Sequence, residues 1–246
     1  MQILKESKIG EVVAGNFHSA RIFESFGLDF CCGGKKSISD ACGEKGINPE
    51  NVIKELGTMY VQKEATVHFD DWELDFLIDY IVNNHHSYIT NIVSTIEHHL
   101  DKVASKHGEA NPELPRIDSA FKELAEELLA HMQKEEMMLF PYIKKLLFAQ
   151  KNNLELPFPP FGTVQSPVVV MEQEHEHAGN LVKQIRLFSK DFTLPPTACT
   201  TYRITFEELK EFEADLHTHI HLENNILFPK AVELERELRA RFNKID

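Results

Sequence analysis

Residues 131–141 read HMQKEEMMLFP, and residues 219–229 read HIHLENNILFP. His131, Glu135, Leu139, Phe140 and Pro141 of the first phrase return as His219, Glu223, Leu227, Phe228 and Pro229, each 88 positions later. A helix puts residues i and i+4 on one face. Each copy therefore presents an imidazole and a carboxylate in the same direction. Two such pairs facing each other inside a bundle would make a metal site.

Working outward, the flanking sequence supplies the bundle. From Asp71 the pattern becomes long and amphipathic, with Leu74, Leu77, Ile78, Ile81 and Val82 forming a helical stripe that runs on towards Gly108. A second helix is expected from Asp118, a good N-cap, to about Phe148, with Pro141 kinking it or ending its regular part. A proline-rich loop, LELPFPPFGTVQSP, follows. A third helix starts near Ser166-Pro167 and reaches about Lys190, and a fourth runs from about Thr201 to Arg241. Val168-Val169-Val170 alone looks strand-like, and the continuing helical period overrides it. The fold class is all-α: a four-helix bundle over residues 71–246. Residues 1–62 form a small helical domain of their own. In it Ile9–Gly15 and Ser19–Phe26 are short helices, the second closed by Gly27. Ser37 or Ser39 caps a third, and Asn48-Pro49 opens a fourth that runs to about Tyr60. Residues 61–70 read as a linker.

The 88-residue offset implies two related helical hairpins, which directs the search for more ligands to their first helices. His86 and His175 lie there, 89 apart. Two glutamates can bridge two cations while imidazoles take the terminal positions. Such an N/O donor set suits iron or manganese and lacks the thiolates of structural zinc. A single H-x3-E would be an ordinary exposed pair, and the repetition is what favours a metal centre. Without cations, two carboxylates facing each other in an apolar core would repel strongly.

Composition narrows the function classes. The 246 residues carry a formal net charge of −13, which argues against nucleic acid or an anionic membrane as partner. No stretch approaches the roughly 20 apolar residues that span a bilayer. The start lacks the pattern of a secretion signal, and four cysteines do not make a secreted disulfide framework. A cytoplasmic protein is the expectation.

The H-x3-E-[EN]-x2-LFP repeat, EHEHAG at Glu174–Gly179 and DFCCGG at Asp29–Gly34 together resemble the hemerythrin-like di-iron proteins of the RIC (repair of iron centres) family. The resemblance covers essentially the whole chain. It implies two iron ions held by His86, His131, Glu135, His175, His219 and Glu223. The glutamates would be carboxylate bridges, and an oxo or hydroxo group the third bridge. His85 is the alternative first-helix ligand. Oxygen-carrying hemerythrins, which are similar, have a further histidine where this chain has Gly179. Four histidines in place of five leave the irons more open, which suits a reactive or donating centre.

The remaining histidines have plainer readings. His177, His217 and His221 stand two residues from a ligand position, about 200° round the helix, and are expected in solvent. His98, His99 and Glu136 are expected on the surface. Cys31 and Cys32 read as two accessible thiols that Lys35-Lys36 push towards thiolate, whereas Cys42 and Cys199 read as packing residues. The resemblance gives Cys31 and Cys32 a part in redox chemistry or metal transfer.

The expected function is repair of iron–sulfur clusters damaged by nitrosative or oxidative stress, by donating iron to the damaged iron–sulfur proteins. The rival readings are an enzyme that reduces nitric oxide or oxygen at the di-iron site, and a gas or redox sensor. The sequence leaves the oligomeric state open, a homodimer among the options.

Overall fold

The structure, a computed structural model, describes residues 3–61, 67–156 and 159–242. Its regular elements are helical. They are α1 (Ile9–Gly15), α2 (Ser19–Ser25), α3 (Ile38–Lys45), α4 (Pro49–Val61), α5 (Leu74–Tyr80), α6 (Ser87–His107), α7 (Leu114–Lys134), α8 (Phe140–Asn152), α9 (Gln165–Phe188), α10 (Thr200–Leu222) and α11 (Phe228–Phe242). An isolated antiparallel bridge pairs Lys8 with Ser37. The chain is all-α, a four-helix bundle with a small N-terminal helical domain. Part of the expected 61–70 linker lies outside the described residues. No described helix is long and apolar enough to cross a membrane.

Two compact units are distinguished by their internal contacts. One comprises Met1–Ile78, Ile143–Pro160 and Thr218–Asp246; the other comprises Asp79–Tyr142 and Phe161–His217. In the second unit the core is built from apolar stripes at three- and four-residue spacing: Ile89, Val93, Ile96, Leu100 and Val103 on α6, and Ile117, Phe121, Leu124 and Leu128 on α7. Phe121 meets Phe212 of α10 edge-on at 5.2 Å. Arg186 of α9 grips the buried Glu213 of α10 through two hydrogen bonds of 2.9 and 2.7 Å, the paired geometry a buried carboxylate requires. In the first unit Ile9, Val12, Phe23, Ile38, Val52 and Leu56 are fully buried. Gly27 takes φ +66 after α2, and the Ser37 side chain accepts a hydrogen bond from the Asp40 amide at the start of α3.

The helices depart from expectation at one proline. α7 begins at Leu114, four residues before Asp118, with Pro115 in its first turn. The fixed φ and missing N–H of proline cost nothing there. Near Pro141 the regular α-helix is interrupted, as expected, although the helical path goes on. The five residues ahead of α8, Glu135–Leu139, widen into a π-helix, and Glu223–Leu227 do the same ahead of α11. Proline lacks an N–H and its ring collides with the carbonyl four residues back. A widened turn just before it removes that conflict, so the helical path continues through Phe140-Pro141 and Phe228-Pro229. A third π segment covers Ile81–His86. The repeat seen in the sequence is thus also a repeat of backbone geometry, and it falls where the glutamates and the first histidine stand. Single π turns of this kind are common at functional sites.

Candidate metal centre

The polar residues of the doubled phrase occupy positions that the apolar stripes reserve for the core. His131 follows Leu124 and Leu128 on α7, and Glu135 follows one turn later. His175 sits between Met171 and Ala178 on α9, while His219 and Glu223 continue Phe212 and Leu216. Glu135, His175, His219 and Glu223 are each 0% exposed, and His86 and His131 are 2% exposed. Charge-bearing side chains are almost never this buried without a partner.

Their inward atoms converge. His86 Nε2 lies 3.5 Å and His131 Nε2 3.4 Å from the same oxygen of Glu135. His175 Nε2 lies 2.9 Å from His131 Nε2, and His219 Nε2 lies 3.1 Å from Glu223. In the second unit, ligand atoms of His131, Glu135 and His175 fall within 4.8 Å of one another, and His86 reaches the same Glu135 oxygen. In the first unit, His219 stands beside Glu223. Each unit thus gathers buried imidazole and carboxylate donors of the kind that can hold a cation.

The outer side of the imidazoles fixes which nitrogen faces inward. His131 Nδ1 is 2.8 Å from Glu174, and His86 Nδ1 is 2.8 Å from Glu136. A carboxylate can only accept, so Nδ1 carries the proton in each ring and Nε2 keeps its lone pair for the centre. The hydrogen bond from His131, followed by that from Lys134, holds the Glu174 carboxyl down at about 2 against the opposing effect of burial. Metal fit is tested most directly by Glu135. Its carboxylate is completely buried, yet neither oxygen has a hydrogen-bond partner among the described residues. Imidazole nitrogens with inward lone pairs stand beside it. A cation satisfies that arrangement of acceptors, and a further hydrogen-bond acceptor would not.

His86 belongs to the group at Glu135. His85 does not: its Nδ1 turns to Asp215 at 2.9 Å. Glu136 is exposed, as expected, and its carboxylate also orients His86; Glu174 does the same for His131. Each is the chain neighbour of a residue in the centre, Glu135 or His175, and serves a histidine on another helix. The adjacent acidic residue was the available signal. His221 is not in solvent. It is 0% exposed and lies near the rings of Phe17 and Phe30, and burial pushes its imidazole down to about 4. His99 is half-buried and pairs with Glu208 at 2.8 Å, whereas His98 and His177 are exposed.

The cysteines divide differently from expectation. None is in a disulfide. Cys31 is buried, and its thiol is pushed well up by the hydrogen bond with Cys32, then by burial, by the neighbouring Cys32 charge and by Asp29. It is a thiol, not the thiolate that Lys35-Lys36 suggested; Lys36 is turned to Glu44 at 2.7 Å. Cys42 is fully buried, as expected. Cys199 is not a packed residue. It stands half-exposed at the start of α10, 3.3 Å from His107 Nε2, and its thiol is lowered first by the Tyr202 amide and then by Lys106 and the Thr201 amide.

Residues 77–231 match the hemerythrin HHE cation binding domain. The chain belongs to that family. Residues 5–60 match ScdA_N, a domain of unknown function. Both segments together are covered by relatives named iron-sulfur cluster repair protein YtfE. The protein of that name from Escherichia coli O8 (strain IAI1) is 32% identical over 232 residues, which cover 93% of this chain and 97% of the relative. Those from Shigella boydii serotype 4 (strain Sb227) and Escherichia coli (strain K12 / DH10B) are 31% identical with the same coverage. This hemerythrin-family chain is therefore similar to the YtfE proteins along nearly its full length, as the RIC-type resemblance implied.

Proposed function

We propose that this protein holds a dinuclear iron centre and uses it to restore damaged iron–sulfur clusters by supplying iron. The observation that carries the reading is the burial of four histidines and two glutamates, with His86, His131 and His175 gathered at Glu135 and His219 set beside Glu223. In this assignment His86 and His219 would hold one iron and His131 and His175 the other. Glu135 and Glu223 would be shared between them, with an oxo or hydroxo group completing the centre. The repair role is supported by the relatives of that name over 93% of the chain. Damage by nitrosative or oxidative stress, a cytoplasmic location and the division into a cysteine domain and a bundle complete the proposal.

When bound, the iron is the cargo that a damaged cluster takes up. The chain's own residues prepare it for loading and release. Glu136 and Glu174 keep the inward nitrogens of His86 and His131 free of protons, so the rings are ready to ligate. His86 and His131 stand 3.5 and 3.4 Å from Glu135, and His219 stands 3.1 Å from Glu223, so each buried carboxylate keeps an imidazole beside it. A site whose empty form is held in this way can be filled and emptied without unfolding. The four-histidine set, with Gly179 on the buried side of α9, leaves fewer protein ligands than an oxygen carrier has.

The test is transfer. Iron-loaded protein mixed with a ferredoxin whose cluster has been damaged by nitric oxide is expected to restore that cluster faster than an equal amount of free ferrous salt. Equal rates would sink the donation reading.

A further inference from the structure

The N-terminal domain carries a donor group that the bundle centre does not use. Adjacent side chains normally point to opposite sides of an extended chain. Here a turn brings the sulfurs of Cys31 and Cys32 to 4.0 Å from each other, and Asp29 Oδ1 stands 3.2 Å from Cys31 Sγ. Ligand atoms of all three residues lie within 4.8 Å. With metal–sulfur bonds of about 2.3 Å and metal–oxygen bonds of about 2.1 Å, a tetrahedral ion has sulfur–sulfur and sulfur–oxygen edges of about 3.8 and 3.6 Å. The Cys31–Cys32 and Cys31–Asp29 separations are within half an ångström of those edges before any ion enters.

The backbone around them is fixed for this purpose. Asp29 Oδ1 accepts hydrogen bonds from the amides of Cys31 and Gly33, both 3.1 Å. A Cβ at Gly33 would lie 2.6 Å from the Asp29 carbonyl oxygen, so only glycine lets the turn close over the aspartate. Asn225 clamps the other side, donating to the carbonyl oxygens of Phe30 and Cys31 at 3.3 and 3.2 Å. Its side chain occupies a slot in which a Cβ on Gly10 or Gly34 would come within 2.4 Å of Oδ1. Capping the turn explains the aspartate's amide bonds. It does not explain why both sulfurs gather on the carboxylate side.

We propose that Asp29, Cys31 and Cys32 form a second metal site that binds a single thiophilic divalent cation, ferrous iron or zinc, through two sulfurs and one carboxylate oxygen. Solvent completes the coordination beside the half-exposed Cys32. Each thiol gives up its proton on ligation. The assignment stands on these three side chains and does not depend on the repair reading.

The test is cobalt(II) titration of the reduced full-length protein, followed in the near-ultraviolet. The centre formed by histidines and glutamates contains no thiolate, so a thiolate-to-cobalt charge-transfer band reports this second site alone. The band is expected to saturate at one cobalt, to vanish in Cys31→Ser and in Cys32→Ser, and to persist in Cys42→Ser and Cys199→Ser. Asp29→Asn is expected to weaken binding tenfold or more. Absence of the band, its survival in Cys32→Ser, or an unchanged affinity in Asp29→Asn would overturn the proposal. Should the buried Cys31→Ser variant misfold, the half-exposed Cys32→Ser variant decides.

Discussion

Glu174 offers a sharp test of how the centre is held, because it is argued to act only through another residue. It accepts from His131 Nδ1 at 2.8 Å and also receives Lys134, and its side chain is 33% exposed. Replacing it with glutamine removes the charge that keeps His131 in the Nδ1–H form. Loss of such an outer carboxylate typically weakens metal binding 10- to 100-fold, or about 1.4–2.8 kcal/mol. Partial exposure lets water replace some of the interaction, which places Glu174→Gln near the lower end. Glu136, whose side chain is 44% exposed, should cost less when changed to glutamine, because water more readily replaces its bond to His86. The assay is retention of ferrous iron against a chromophoric chelator, with helicity followed in parallel. A cycle with His131→Ala isolates the route: if Glu174 works through His131, the double variant loses no more iron than His131→Ala alone. Iron retention at the native level in Glu174→Gln, or full additivity in the cycle, would refute the reasoning.

Other consequences follow from the same geometry. Gly34→Ala would drive a Cβ to 2.4 Å from Asn225 Oδ1 and 2.7 Å from the Phe30 carbonyl oxygen. We expect an overpacking cost of about 1–3 kcal/mol, seen as a melting temperature lower by about 2–4 °C per kcal/mol; an unchanged melt would contradict the close approach. Thiol labelling should separate the cysteines. Cys199, whose thiol is lowered, ionises at a lower pH than an ordinary cysteine and should alkylate first near neutrality. Cys31, whose thiol is raised and buried, should need alkaline pH or denaturant. Mass spectrometry showing Cys31 modified ahead of Cys199 would reverse both assignments.

Much of the fold could be read from the chain because helical stripes and caps are local. Gly27, Ser37 and Pro49 mark helix ends in the sequence and do so in the structure. Leu124, Leu128 and His131 likewise declare their common face by spacing alone. What escaped depends on residues far apart in sequence. The face of α10 bearing His221 reads as solvent-exposed, but Phe17 and Phe30 of the N-terminal segment cover it, 6.0 and 5.6 Å away between ring centres. Glu136 and Glu174 act across to other helices, so their places beside Glu135 and His175 in the chain mark them without showing which histidine each one serves. The lysines near Cys31 suggested a thiolate; the hydrogen bond with Cys32, then burial and Asp29, set the opposite direction.

In the proposed centre two glutamates, one from each copy of the doubled phrase, bridge two irons. That bridging is tested most directly by the iron content of the purified protein beside that of the Glu135→Ala/Glu223→Ala double variant. We predict about two irons per native chain, as in other bundles that hold paired metals with inward Glu and His, and loss of both in the variant. A native protein with one iron or none after anaerobic loading, or a folded double variant that keeps its iron, would contradict the account.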